Sequence, residues 1–184
     1  MKYLLTYSLT LLSLVLLFSS CRKEPNYPDT PQIEFQRVEQ TTEIENGILH
    51  DDLTLVVGYK DGDGNLGLSK TDTASGDFDP PFDLKSPYFN NFFADLQVKR
   101  GATYVPYFEN SVLNFNGRFA RLSADGREEA LEGEIKYTIS SFYSDVFDAS
   151  DTIRFEIYVY DRALNKSNVV YTDDIVLFSG QPKP

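Results

Sequence analysis

Thr152-Ile153-Arg154-Phe155-Glu156-Ile157-Tyr158-Val159-Tyr160 is the stretch that decides the fold. Ile153, Phe155, Ile157 and Val159 alternate with Arg154, Glu156 and Tyr158. A period of two puts every apolar side chain on one face of an extended chain, so the segment reads as a half-buried strand. The pattern recurs on both sides of it. Leu131, Ile135, Tyr137 and Ile139 share one face, opposite Glu132, Glu134, Lys136 and Thr138. Leu53, Leu55, Val57 and Tyr59 form another. Shorter candidates lie at 33–37, 95–99, 112–115, 118–122 and 169–178, and Asn116-Gly117 between two of them predicts a tight hairpin turn. After the first twenty residues no segment holds an apolar 3.6 period long enough for a substantial helix.

Seven to eight antiparallel strands with one polar face each must bury the other face. Two stacked sheets do so most simply. The expectation is an all-β chain with an immunoglobulin-like β-sandwich over residues 33–180; a small closed barrel is the alternative, because period-two patterns do not reveal how a sheet closes.

Residues 1–20, MKYLLTYSLTLLSLVLLFSS, have one early cation, Lys2, and an apolar run from Leu9 to Phe18. A bilayer span takes about 20 apolar residues, so this run suits a secretory signal peptide with Ser19 and Ser20 before the cut. Cys21 follows directly. Leu17-Phe18-Ser19-Ser20-Cys21 resembles a bacterial lipobox, and that resemblance implies that Cys21 becomes the acylated, palmitate-bearing N-terminus. The alternative is an ordinary signal peptide followed by a free thiol, but the chain has a single Cys and so no disulfide partner for it. Residues 21–32 then form the lipidated Cys and a Pro-rich tether. The expected localisation is the cell envelope, lipid-anchored to a membrane.

The 184 residues carry 17 Lys+Arg against 28 Asp+Glu, a formal charge of −11. Affinity for nucleic acid comes mainly from cations that neutralise phosphate, so no nucleic-acid partner is expected.

The most specific chemistry is Asp61-Gly62-Asp63-Gly64-Asn65-Leu66-Gly67, directly after the strand ending at Tyr59. Alternate Asp and Asn side chains in a Gly-rich turn can converge on one point, and Ca²⁺ takes six to eight such oxygens. Asp61, Asp63 and Asn65 occupy the first, third and fifth positions of an EF-hand loop, and Asp72 falls on the twelfth. Leu66 stands where that loop needs Gly, and strands replace the flanking helices, so an EF-hand is not expected. A structural Ca²⁺ site is. The competing reading is a polar β-turn whose Asp and Gly serve turn geometry alone. In an immunoglobulin-like sandwich the second and sixth strands run the same way and their following loops meet. Asp161 would then join Asp61, Asp63 and Asn65 as a ligand; its alternatives are capping backbone amides or pairing with Arg162. An ion there would fix the end of the domain away from the tether.

Together these motifs resemble single-domain lipoproteins common in Bacteroidota. Those pair a lipobox with an aromatic-x-Asp-Gly-Asp-Gly-Asp/Asn-Leu/Ile-Gly loop, here Tyr59 to Gly67. The likeness extends to Tyr88-Phe89-Asn90-Asn91-Phe92-Phe93, to Ala130-Leu131-Glu132-Gly133-Glu134-Ile135, and to Asp161-Arg162-Ala163-Leu164-Asn165-Lys166-Ser167-Asn168, where Leu164 replaces the usual Gly. The resemblance implies an immunoglobulin-like fold and outer-membrane lipoprotein status, and no activity.

Enzyme chemistry finds little purchase. The only His is His50, beside Asp51-Asp52 in what reads as a polar connection, with no nucleophile motif near it. One His and one lipidated Cys make no zinc site, and neither a phosphate loop nor a dinucleotide fingerprint occurs. The aromatic-rich run 78–93 reads as packing over one end of the sandwich, with a sugar-stacking surface as its alternative. The expected function is a non-enzymatic outer-membrane lipoprotein that presents a Ca²⁺-stabilised sandwich for binding or structural interaction with a protein or glycan partner. The alternatives are a glycan-binding accessory of an uptake system and a periplasmic enzyme using carboxylates.

Overall fold

A computed structural model describes residues 25–108, 114–123 and 129–181, so residues 1–20, expected to be a signal peptide, and Cys21 lie outside the described residues. The deciding alternation is realised as β6 (Thr152–Val159), in which every second residue from Ile153 to Val159 is buried. Each such side chain stabilises by roughly 1.5–3 kcal/mol when fully removed from water. The other strands are β1 (Gln32–Glu45), β2 (Ile48–Asp61), β3 (Phe92–Arg100), β4 (Thr103–Pro106), β5 (Leu131–Tyr143), β7 (Val170–Tyr171) and β8 (Ile175–Val176). They form a three-stranded sheet, β1-β2-β5, and a five-stranded sheet, β4-β3-β6-β7 with β8 also on β6; every pairing is antiparallel. The two sheets pack face to face as a β-sandwich. Leu53, Leu55, Val57, Ile135 and Ile139 of the first meet Phe92, Ala94, Phe155, Ile157 and Val159 of the second in one core. Among the described residues there is no α-helix, only a 3₁₀ turn at Thr73–Ser75.

Several local expectations are corrected. Asn116-Gly117 is not a hairpin turn. Gly117 exchanges two backbone hydrogen bonds with Phe92 (2.9 Å each), and Asn116 Oδ1 accepts from the Ala94 amide. Gly is needed there because a Cβ would lie 2.1 Å from the Tyr137 hydroxyl. The Asn-Gly hairpin of this fold is instead Asn46-Gly47, both at positive φ, joining β1 to β2. Residues 118–122 are not a strand, and 112–113 lie outside the described residues. The segment 169–178 breaks into β7 and β8, whereas β1 runs past 37 to Glu45 through an irregularity at Phe35/Arg37. His50 sits in β2, not in a connection, and stacks on Tyr143 (4.6 Å).

The long connection 62–91 is organised by a residue from another segment. Arg118 is buried, and its guanidinium donates to the carbonyls of Phe89 (2.5 Å), Ser69 (3.2 Å), Asp77 (2.8 Å) and Phe82 (2.6 Å). The Phe78 and Phe89 rings lie against it at 4.4 and 4.1 Å. The planar guanidinium, with five donors, suits this role where a lysine would not.

β1 begins beside the end of β2, with Gln32 opposite Lys60. The tether therefore enters at the same pole as the loop that follows β2. This overturns the expectation that the acidic loop caps the end away from the tether.

Candidate metal centre

Asp61 is the last residue of β2 and faces inward, fully buried. The chain then turns through Gly62, Gly64 (φ 66) and Gly67 (φ 97). Gly67 is required twice over: its φ is left-handed, and a Cβ would meet the Ala120 carbonyl at 2.3 Å. The turn uses one oxygen of each acid. Asp61 Oδ2 accepts from the Leu66 amide (3.2 Å), and Asp63 Oδ2 accepts from Asn65 Nδ2 (2.7 Å).

Three oxygens are left over. Asp61 Oδ1, Asp63 Oδ1 and Asn65 Oδ1 are each shut off from solvent and have no hydrogen-bond donor. A buried acceptor without a partner costs about 1–3 kcal/mol, more when charged. A turn that served geometry alone would point such oxygens at water or at its own amides. Here three alternate residues of one turn hold theirs buried and unsatisfied.

The electrostatics point the same way. Burial, then the charges of Asp63 and Asp161, push the Asp61 carboxyl up to about 6. Burial, with Asp161 and Asp29, also raises Asp63. These acids oppose one another's ionisation, which a cation would reverse.

The loop after β6 is bound to this turn. Leu66 and Asp161 form an antiparallel bridge, and the Arg162 amide donates to the Asn65 carbonyl (3.4 Å). Asp161 is buried, but its carboxylate is engaged: Oδ1 accepts from the Asn165 amide (2.7 Å) and Oδ2 from Asn165 Nδ2 (2.8 Å). That is the turn-capping alternative, although a carboxylate has about four acceptor positions and two remain. Leu164 holds φ 66, the left-handed conformation that a residue with a side chain seldom adopts. Arg162 Nη1 donates to the Gly67 carbonyl (3.5 Å). Among the described residues it makes no ion pair with Asp61, Asp63 or Asp161.

Among the described residues no group of three or more His, Cys, Asp or Glu is arranged to hold a metal ion. A cation here must therefore draw on the Asn65 amide oxygen and on backbone carbonyls as well as on carboxylates. That is the all-oxygen ligand chemistry of Ca²⁺ and not that of a transition metal. Asp72 takes no part; it is exposed and caps the 3₁₀ turn, accepting from the Ala74 amide (3.0 Å).

The aromatics of 78–93 are spent on the protein itself. Phe92 is fully buried, Phe82 nearly so, and Phe78 and Phe89 enclose Arg118. Tyr88 packs edge-on to Tyr160 (5.3 Å) and Phe93 stacks on Tyr158 (4.8 Å). The sequence reading missed Arg118 and also Asp51, a fully buried carboxylate that accepts from Thr42 Oγ1 (2.5 Å), Gln40 Nε2 (2.7 Å) and the Phe178 amide (2.7 Å). Nothing local distinguishes either from a surface charge. Comparison with protein-family models, curated proteins and solved structures gives no match for this chain.

Proposed function

We propose that this protein is a non-enzymatic lipoprotein, anchored to the outer membrane through acylated Cys21, whose β-sandwich is stabilised by one structural Ca²⁺. Asp61, Asp63 and Asn65 supply side-chain oxygens, and Asp161 adds charge from the loop after β6. The observation that carries this reading is the set of three buried, donorless oxygens on alternate residues of one turn. The ion joins the connection after β2 to the connection after β6, and so ties one sheet to the other at the pole where the tether enters.

The finer fold reading belongs to the same proposal. The order β1-β2-β5 against β4-β3-β6-β7 supports reading it as an immunoglobulin-like sandwich with the fourth strand at the edge of the opposite sheet. The role is mechanical. A rigid, lipid-tethered body leaves its far pole and sheet faces free for a protein or glycan partner.

Thermal unfolding tests the metal. The wild-type protein, stripped with a chelator, gains melting temperature in millimolar Ca²⁺, and Asp63→Asn gains little or none. A wild-type melting temperature indifferent to Ca²⁺ overturns the proposal.

A further inference from the structure

The end of the tether is part of this site. Gly62 lies between the two candidate carboxylates, and its amide donates to the Pro28 carbonyl (2.9 Å). A Cβ on Gly62 would lie 2.3 Å from the Tyr27 carbonyl oxygen and 2.8 Å from that of Pro28. The glycine is therefore not serving positive φ. It lets the incoming chain lie directly on the acidic turn. Two side-chain contacts hold the segment from outside: the Tyr27 hydroxyl donates to Glu132 Oε2 on β5 (2.5 Å), and Lys60 Nζ sits over the Tyr27 ring (5.6 Å). Asp29 follows, exposed, one residue beyond the Pro28 carbonyl that the Gly62 amide holds against the acidic turn.

Without a cation this arrangement opposes itself. It adds an acid, Asp29, to a turn that already carries the buried Asp61 and its neighbours Asp63 and Asp161, and it lays peptide carbonyls on the turn as well. With a divalent cation the same groups become attractive. Resting on the metal reading above, we infer that Ca²⁺ bound by Asp61, Asp63 and Asn65 also draws Asp29 to the site, and so locks the tether segment 27–29 onto the membrane-proximal pole. The second observation that separates this from a mere cluster of acids is Asp61 Oδ1, unpartnered on a side chain with no solvent exposure.

The consequence is a change in reach. With the chain docked at Tyr27, six residue steps separate it from Cys21, about 20 Å when extended; released to Gln32 the span is eleven steps, about 40 Å. Calcium thus sets how closely the domain is held to its anchor.

The experiment uses the full-length protein in detergent and measures two quantities with Ca²⁺ alone as probe. Calorimetric titration gives affinity, and hydrogen exchange followed by mass spectrometry gives protection of segment 26–31 and of the Gly62 amide. The inference expects Ca²⁺ to slow exchange at both places. It expects Asp29→Asn to weaken Ca²⁺ binding by about tenfold, because ligand charge tunes such sites over decades, with metal-free melting unchanged or raised. It expects Gly62→Ala, which expels the tether without removing a carboxylate, to lose the Ca²⁺-dependent protection of 26–31 and to bind the ion about as weakly as Asp29→Asn does. If wild type and Asp29→Asn bind Ca²⁺ equally and exchange in 26–31 ignores the ion, the tether lock is wrong and the metal site stands. If wild type binds no Ca²⁺, both fall together.

Discussion

Asp61→Asn should do opposite things in the absence and presence of calcium. Burial and neighbouring acids lift the Asp61 carboxyl from 3.8 to about 6. The folded state therefore holds this proton more tightly than the unfolded chain. Its contribution to stability is greatest below pH 4 and falls as pH rises from about 4 to about 6. Above that window the folded protein carries an unfavourable charge worth roughly 3 kcal/mol, two pH units at about 1.4 kcal/mol each. Asparagine removes the charge and keeps an oxygen for the Leu66 amide. In chelator near neutral pH the variant should be more stable than wild type by up to about 3 kcal/mol. In a domain of this size that is several degrees in melting temperature, at about 2–4 °C per kcal/mol. In Ca²⁺ the order reverses. Wild type gains about 4.1 kcal/mol at a thousandfold excess over the dissociation constant, more than the roughly 3 kcal/mol it lacks in chelator, while the variant lacks a charged ligand and gains little. The assay is differential scanning calorimetry of both proteins with chelator and with Ca²⁺. A variant that is less stable than wild type in chelator, or that gains as much from Ca²⁺, refutes the reasoning.

Arg118→Met should cost about 3–5 kcal/mol, because four carbonyls lose their donor together and the rings of Phe78 and Phe89 lose what they enclose; urea unfolding measures the cost, and amide exchange should rise across 69–89 first. Asp51→Ala strands the donors of Gln40, Thr42 and Phe178, and should lower stability by about 2–4 kcal/mol with early exposure of residues 175–181. Gly117→Ala pushes a methyl into the Tyr137 hydroxyl and should cost about 1–3 kcal/mol by chemical denaturation. Asp151 acts oppositely to Asp61. Its hydrogen bond from Arg100 lowers its pKa, so its contribution is present above about pH 4 and is lost as pH falls through the lowered value. The acid limb of a stability–pH profile should flatten in Asp151→Asn.

The strand that the sequence displays most plainly is β6, whose burial is one-sided along its whole length. β6 alternates without exception because β3 pairs with it in unbroken register and one face lies on the core throughout, and the inward faces of β2 and β5 are visible where they line the same core. Asn-Gly is ambiguous for a physical reason as well. Both Asn46-Gly47 and Asn116-Gly117 tolerate positive φ, but only the first uses it; the second needs its glycine for room under Tyr137. β7 and β8 share one edge of β6 and are cut short by the residues between them, so the run 169–178 looks like one strand when it is two.

At the site, the turn from Asp61 to Gly67 and its meeting with the loop at Asp161 follow from local spacing and strand direction. The roles of Asn165 and Leu164 do not, since they depend on which oxygens the turn itself consumes. Arg118 and the docking of Tyr27–Pro28 on Gly62 join residues far apart in the chain, and neither has a periodic or compositional signature.

The most direct test of the central claim is a calorimetric titration of metal-stripped, full-length protein with Ca²⁺ near neutral pH. The account predicts one ion per chain, with a dissociation constant between about 10⁻⁶ and 10⁻³ M, and loss of that binding in Asp61→Asn. Saturation by no ion at all up to about 10⁻² M, or an isotherm that Asp61→Asn leaves unchanged, contradicts it.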